Sequence, residues 1–494
     1  MRRYAFRFIS IFLLACFLFS CRNAETQYQP TVLGGNYWKD QALNDIMPSW
    51  RVQARDTVYG AFYTNLDSNW QSFGSTNKFP SMLARHLFSF STSYLLSGNE
   101  SDLKIAAETA KWLIDHAWDA EYGGWYDELD EKGNPVKETK NMFVQVYTIT
   151  GLTMYYYVTK DSLVKTYIDK ANDLIQSKAW DHTKHGFYNE MKRDWTINDS
   201  NKAFASQITP VSGYLIYLYA ATREQKYLDQ IEKIVNATTK NMIDKKSGWV
   251  LEYFDKDWNY IKSGDERSEV NIGHNIETAW MLLKTYGLTG KKEYLNTART
   301  VSDKIYESGV SKDNRFWYTG VGLNNADLHT ETAYWWIQAY GNMFDLYWYH
   351  FSGDNNYIKG FEKGARFWDA YFIDRKYGDT YTGVDSNGVV KDATKANRYK
   401  TSYHSMEHCL VNYLALNQWV NNEPVKLHFY LQESNSGDRL YPVLLEDSTI
   451  IISEARLNNA RRDKLHVEGQ SVVLPSLKNS SITVVLNTVA SHKK

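Results

Sequence analysis

From about residue 38 to 423 the apolar positions recur at helical spacing, and the segments they mark come in pairs. The pattern predicts helices at 80–97 and 101–118, 139–159 and 161–179, 203–222 and 225–242, 273–288 and 291–308, and 330–351 and 354–372. One more, at 38–57, precedes the first pair, and one at 402–420 follows the last. The leading helix of a pair is apolar and aromatic nearly all round, as from Phe143 to Tyr157 and from Tyr334 to Tyr349. Its successor, as at 101–118 and 161–179, carries lysines and acids along one side. A helix apolar all round is buried on every side, and a one-sided helix faces water. The leading helices are therefore expected inside and their successors outside. Beyond residue 424 the period changes to two. Val425-Lys426-Leu427-His428-Phe429-Tyr430-Leu431 alternates, as do stretches within 439–453 and 481–487, and this predicts a small β-rich domain over 424–494.

Between the helix pairs a short motif returns: Gly60-Ala61-Phe62-Tyr63, Gly124-Trp125-Tyr126-Asp127-Glu128, Gly186-Phe187-Tyr188-Asn189-Glu190 and Gly248-Trp249-Val250-Leu251-Glu252. A looser copy is Arg315-Phe316-Trp317-Tyr318, and the last is Gly378-Asp379-Thr380-Tyr381. The first four glycines are 64, 62 and 62 residues apart, and the 130 residues from 248 to 378 hold two more periods. Each copy reads as a short β-hairpin. Repeats of this length imply stacked units that bury their faces against their neighbours. Twelve helices in six pairs most simply close into an (α/α)6 barrel over 38–423, an open solenoid being the alternative. The first unit lacks an inner helix and the last an outer one, so the two ends complement each other. In a closed ring all inner helices start at one end, and residues at their starts converge on one mouth.

The chain of 494 residues is 43% hydrophobic and 15% aromatic, enough for a large core with rings to spare for a cleft. A formal charge of −1 gives no sign of a nucleic-acid partner. Arg2, Arg3 and Arg7 precede an apolar run from Phe8 to Phe19, which reads as a targeting segment over 1–20. Leu18-Phe19-Ser20-Cys21 resembles a bacterial lipobox, so Cys21 is expected to carry a lipid, with 21–37 as a linker and the protein anchored to an envelope membrane. The run is short for a transmembrane helix, which needs about 20 residues. Without the leader the charge becomes 53 − 57 = −4. Cys409 is then the one cysteine left over, which excludes a disulfide framework or a thiol metal site.

At the inner-helix starts the sequence places Arg85, Asn141, Gln145, Gln207, His274, Glu277, Trp335, Trp336, Gln338, His404 and His408. Trp125, Tyr126, Tyr188 and Trp249 of the turns are expected to rim the opening. Flat rings above amides and charges suit a pyranose, which has apolar faces and a hydroxyl edge. His274 and Glu277 are three apart, so they share one helix face with Cβ atoms about 5–6 Å apart. An imidazole beside a carboxylate suits proton transfer near neutrality.

These residues also carry a resemblance. Gly273-His274-Asn275-Ile276-Glu277, Trp335-Trp336-Ile337-Gln338-Ala339 and Tyr403-His404-Ser405-Met406-Glu407-His408-Cys409-Leu410 are similar to GHxxE, WWxQA and YHxxxxCL segments of the N-acylglucosamine 2-epimerase family. Ala84-Arg85-His86-Leu87-Phe88 and Lys140-Asn141-Met142-Phe143-Val144-Gln145 resemble two earlier segments, so the likeness spans about 40–420. The family includes cellobiose 2-epimerases and mannose isomerases on an (α/α)6 barrel. The resemblance implies ring opening of a mono- or disaccharide and removal of the C2 proton to a cis-enediolate. A proton then returns at C2 (epimerase) or C1 (isomerase), with no metal or other cofactor. It implies His274 and His404 as the two acid/base groups, Glu277 as the residue orienting His274, and Arg85 as the enediolate stabiliser. Trp335 and Trp336 would stack the sugar, with Gln338, Asn141, Gln145, Gln207, His408 and Trp125 around it. Three positions depart from the family pattern. Gln207, with Pro210, stands where many members have a histidine, Asn141 replaces a histidine, and Tyr340 replaces a glutamate, with His408 and His329 available to compensate. Two other readings are open: a glycoside or unsaturated-uronide hydrolase using a pair drawn from Asp127, Glu128, Glu190 and Glu277, and a non-catalytic glycan-binding lipoprotein.

Overall fold

The computed structural model describes residues 31–262, 265–313, 316–325, 327–458 and 464–489, so the expected leader and Cys21 lie outside the described residues. The chain is mostly helical. In order the helices are α1 (Gly35–Gln41), α2 (Met47–Gln53), α3 (Pro80–Ser97), α4 (Glu100–Trp112), α5 (Met142–Thr159), α6 (Ser162–Leu174), α7 (Phe204–Gln207) and α8 (Ile216–Thr222). They continue with α9 (Gln225–Asn241), α10 (Ile272–Thr289), α11 (Lys292–Ser308), α12 (Trp335–Ser352), α13 (Asn355–Tyr371) and α14 (Tyr403–Ala415). The third inner helix is interrupted. A wide turn over Pro210–Leu215 joins α7 to α8, and the proline there has no N–H for a regular helical bond.

α3 packs on α5, α5 on the Pro210–Leu215 turn and α8, that turn on α10, α10 on α12, α12 on α14, and α14 back on α3. These six segments thus form a ring, and each is buried almost all round because its outer side is covered too. α4, α6, α9, α11 and α13 lie outside their inner partners, and α1 lies against α14. In α9 only Tyr227, Ile231, Ile234, Val235, Ala237 and Thr238 are buried, the one-sided stripe of a helix with a wet face.

The turn glycines at 60, 124, 186, 248 and 378 all have φ between 76° and 83°. That left-handed region is costly for a residue with a Cβ, which is why glycine recurs there. Each turn makes an isolated bridge back to the chain leaving the preceding outer helix, as Trp118 with Trp125 and Trp180 with Phe187. The short strands that follow fold back as local hairpins, Glu128–Leu129 with Pro135–Lys137 and Glu190–Met191 with Ile197–Asp199, and also pair between units, as Lys140–Asn141 with Glu190–Met191.

A polar staple repeats with the turns. Buried lysines Lys78, Lys140, Lys202 and Lys395 pair with Asp56, Asp119, Asp181 and Asp374 at 2.7, 3.0, 2.9 and 2.7 Å. The first three pairs tie the residue just ahead of an inner helix to the turn before it, and Lys395 ties the loop ahead of α14 to the turn at Asp374. A buried charge is tolerated only when paired and hydrogen-bonded, and Asp374 also accepts the N–H groups of Lys376 and Tyr377.

At the other end of the ring the chain turns to strands β1 (Val425–Ser434), β2 (Arg439–Leu440), β3 (Ile450–Leu457), β4 (His466–Glu468), β5 (Ser471–Val473) and β6 (Leu477–Thr488). One antiparallel sheet has the order β1-β6-β3, with Val425 opposite Leu486, and a second has β2-β5-β4. β1 alternates buried Val425, Leu427, Phe429 and Leu431 with less buried neighbours, and packs on α3 and α5.

Candidate active site

At the starts of the inner helices lies a cavity of about 240 Å³, lined by Arg85, Phe143, Tyr147, His274, Glu277, Trp335, Trp336, Tyr399 and His404. Typical ligand pockets run to about 300–1,000 Å³, so this one is small. Larger clefts lie outside the ring, among them one of about 440 Å³ between α11 and α13 and one of about 680 Å³ against the C-terminal strands.

His274 sits in the first turn of α10, whose start is fixed by Asn271 Oδ1 accepting the His274 N–H at 3.1 Å. Its ring lies flat on Phe204 of α7, centroids 3.9 Å apart, and 5.2 Å from Trp336. Gly273 makes room for Trp336: a Cβ there would come within 2.4 Å of the ring. His274 Nδ1 is in direct contact with Glu252 Oε1, which fixes Nδ1 as the protonated nitrogen and leaves Nε2 for the cavity. Burial disfavours the imidazolium, but the Glu252 carboxylate outweighs it and lifts His274 above its ordinary range.

His404, in the first turn of α14, lies about 6.0 Å from both Trp335 and Trp336 and 5.5 Å from Tyr340. Its environment works the other way. Burial and the charges of Arg85, Lys400 and His274 hold it well below the usual histidine range. The site thus holds two imidazoles around one cavity, one biased to the charged form and one to the neutral form. Pairs of titratable groups pushed apart in this way define an acid and a base.

Arg85 is buried, with Nε donating to Ser81 O and the two terminal nitrogens to Tyr399 O and Arg398 O at 2.7 Å each. Of five guanidinium N–H groups, two remain, and the plane lies 4.9 Å from the Tyr147 ring. Glu277 accepts from Ser212 Oγ at 2.6 Å, and burial raises its carboxyl above the usual range. Trp335 carries Lys400 Nζ over its ring at 5.0 Å.

A sequence profile described as N-acylglucosamine 2-epimerase (GlcNAc 2-epimerase) matches residues 60–408, a span that holds every residue lining the cavity. The chain belongs to the N-acylglucosamine 2-epimerase family. A curated relative, the cellobiose 2-epimerase of Bacteroides fragilis, is 24% identical over 387 residues, 74% of this chain and 95% of that one. Among solved structures, the cellobiose 2-epimerase of Spirochaeta thermophila superimposes with a TM-score of 0.70 at 21% identity, over 78% of this chain and 96% of that one. A D-mannose isomerase gives 0.70 at 19%, over 78% and 98%. At such identities the structural likeness is one of fold.

Within this N-acylglucosamine 2-epimerase scaffold, six of the residues expected around the sugar lie elsewhere. Gln145 holds the backbone of Trp125, Gln207 that of Phe187 and Gln338 that of Trp317, each amide accepting one N–H and donating to the same residue's carbonyl. Asn275 does the same to Val250. These amides fasten turns to helices. Trp125 is fully buried against Trp118 rather than at the rim. Asn141 caps α5 by accepting the Phe143 N–H, and donates to Glu190. His408 packs between Trp38 and Trp368 and pairs with Asn342, its value pushed down to about 3 by burial, so it is a neutral core residue. His329 stacks on Tyr318, outside the cavity. The expectation that Glu277 orients His274 is also corrected: Glu252 makes that contact. The structure further adds Phe143, Tyr147, Tyr399 and Phe204 to the site.

Proposed function

We propose that this chain is a carbohydrate 2-epimerase or aldose–ketose isomerase acting at the reducing end of a mono- or disaccharide. In this reading the closed ring is an (α/α)6 barrel with a β-rich C-terminal domain, and the cavity is its mouth. The observation that carries the reading is the pair His274 and His404, which line one cavity with opposed protonation preferences.

His404, neutral, removes the C2 proton from one face of the opened sugar. Electron density moves onto the carbonyl oxygen, where the two remaining Arg85 N–H groups stabilise the enediolate. His274, charged through Glu252, delivers a proton from the other face at C2, or at C1 in an isomerase, and the reverse reaction exchanges the roles. Trp335 and Trp336 present rings to the apolar sugar face, and Glu277 holds a hydroxyl at its edge. A hydrolase needs two carboxyl groups across the scissile bond, whereas among the described residues Glu277 is the one carboxyl group in the cavity lining. Asp127 and Glu190 are engaged with Thr139, Asn141, Lys137 and Asn198, and Glu128 with Asn77. The lipobox-like stretch ending at Cys21 supports, as part of the same proposal, a lipid anchor on an envelope membrane.

The test is incubation with a panel of reducing sugars, cellobiose and mannose included, in heavy water. A C2 epimer or a ketose carrying solvent deuterium supports the reading. A released monosaccharide would favour the hydrolase, and no change with any sugar would leave a binding protein.

A further inference from the structure

The cleft of about 440 Å³ between the outer helices α11 and α13 shares no residue with the sugar cavity. Asp303, Tyr306 and Glu307 face it from α11, where a spacing of three and four residues keeps them on one side of the helix. Tyr357, Gly360 and Gly364 face it from α13. Trp317, in the turn after α11, and Asp345, on the inner helix α12, line its deep side and are almost fully buried. The rings are inclined to one another. Tyr306 lies 5.6 Å from Trp317 at 58° and 5.4 Å from Tyr357 at 54°. Inclined rings offer π faces on more than one side of a guest, and a cation within about 6 Å of such a face is attracted to it.

Four carboxyl groups, those of Asp303, Glu307, Asp345 and Asp354, line the cleft, and among the described residues no lysine or arginine does. Two of the four are engaged. Glu307 pairs with Lys304 at 2.7 Å, and Asp354 accepts the Asn356 N–H at the start of α13. Arg299, one turn before Asp303, stacks on Trp348 with its guanidinium 3.7 Å from the ring centroid, and donates to the Tyr357 hydroxyl at 2.7 Å. Asp303 has no hydrogen bond or ion pair among the described residues. Asp345 is 3% exposed. Its Oδ1 accepts from the Tyr306 hydroxyl at 2.6 Å, whereas its Oδ2 has no partner among the described residues. An unpaired oxygen on so buried a side chain calls for a partner. Oδ2 faces Gly360, where a Cβ would come within 3.1 Å of it, so the glycine keeps the approach from the cleft open at some cost to the helix. The carboxyls are too dispersed for a metal: among the described residues no three His, Cys, Asp or Glu side chains are placed to hold an ion.

We propose that this cleft is a second binding site, for a small molecule carrying an alkylammonium group that donates to Asp345 Oδ2, lies against the rings of Tyr306, Trp317 and Tyr357, and is drawn in by Asp303. It does not depend on the two-histidine reading. A neutral polyol suits the cleft less well, because hydroxyls need donors beside acceptors and both unpaired groups here are carboxyls. Burial raises the Asp345 carboxyl to about 8, although the Tyr306 hydroxyl pulls it down. Tyr306 is itself raised well above the ordinary tyrosine range, so it remains a donor. The other titratable groups around Asp345 are Arg299, Asp303 and Glu307 on α11, Tyr357 on α13 and Asp354 just ahead of it. In the free protein Asp345 thus holds its proton at neutrality. A close opposite charge lowers a carboxyl by about 1–3 units, so an ammonium displaces that proton. Binding therefore tightens as pH rises towards about 8, because the bound form holds fewer protons than the free one.

The experiment is calorimetric titration of the full chain with putrescine, whose ammonium groups stay charged over the range used. Its uncharged counterpart 1,4-butanediol, choline, which has no N–H, and calcium serve as comparisons. Putrescine is expected to bind, with an affinity that rises about tenfold per unit from pH 6 to 7 and with a proton released, read from buffers of different ionisation enthalpy. D345N keeps the shape of the protonated acid. It should weaken putrescine about tenfold or more at pH 7.5 and abolish both the proton release and the pH dependence. Asp303 is exposed, so D303N decides the matter should D345N fail to fold, and it should weaken binding about two- to fivefold. Four results would each overturn the proposal: no binding of putrescine at millimolar concentration, butanediol or choline binding as tightly, calcium binding in its place, or putrescine binding unchanged in D345N or D303N.

Discussion

Glu252→Gln separates charge from orientation at His274. The amide oxygen can still accept the Nδ1–H, so the ring keeps its place while the carboxylate is lost. Two unit charges 4 Å apart at an effective dielectric near 20 interact by about 4 kcal/mol. At 1.36 kcal/mol per unit this is about 3 pKa units, the upper end of the roughly 1–3 units that a close opposite charge supplies. The two side chains are only 27% and 14% exposed, so screening is partial. With Glu252 neutral, burial acts against the imidazolium with Glu277 alone to offset it, and His274 should fall by about 1–3 units. Activity requires His274 charged, so the alkaline limb of the kcat/KM profile moves down by that amount. Above the original limb the rate drops about 10- to 1000-fold, which is the same shift expressed as protonated fraction. The pair also bears on stability. A histidine raised in the folded state contributes fully below its ordinary value and loses that contribution as pH rises through the raised one. The stability difference between E252Q and the parent should therefore shrink with rising pH. The assay is the pH–rate profile together with imidazole NMR of His274. An alkaline limb that stays in place in E252Q would refute the account of the His274–Glu252 pair.

Arg85→Gln should lower kcat about 100- to 1000-fold with KM little changed, since the donors act on charge that develops in the transition state; a KM effect alone would mean that Arg85 only holds the Arg398 and Tyr399 carbonyls. Gly273→Ala should displace Trp336, cost about 1–3 kcal/mol in denaturant unfolding and raise KM, because the new methyl has no room. Lys395→Met strands a buried aspartate and should destabilise the chain by about 3 kcal/mol, at the low end for a broken buried pair because Asp374 keeps two backbone donors; an unchanged unfolding midpoint would contradict the staple.

The helices were legible because their period and caps are local. The expected 80–97 helix is α3, and 225–242 differs from α9 by one residue. Of the site, His274, Glu277, Arg85, Trp335, Trp336 and His404 were legible from motif spacing at helix starts, and all of them line the cavity. Gln145, Gln207 and Gln338 were assigned to the sugar because an amide at a helix start suits either a hydroxyl or a turn backbone. The sequence holds the signal that separates the two: each follows an aromatic turn residue by 20 or 21 positions. A side chain repeated in several units holds the units together, while His274 and His404 break the repeat. Glu252 was visible as a turn residue, but its contact with His274, 22 residues on, depends on how the turn lies against α7 and α10. The contacts of Glu446, in the loop between β2 and β3, with Lys284 of α10 and Tyr347 of α12 were likewise hidden, because they join a loop to two helices far away in the chain.

The central claim is that two imidazoles act on one bound sugar, and it is tested most directly by solvent deuterium at C2. In heavy water, early in the reaction, the epimer formed by the unsubstituted chain should carry deuterium at C2 by NMR, whereas His274→Ala and His404→Ala should each give none. Undiminished incorporation by either variant would contradict the two-base account.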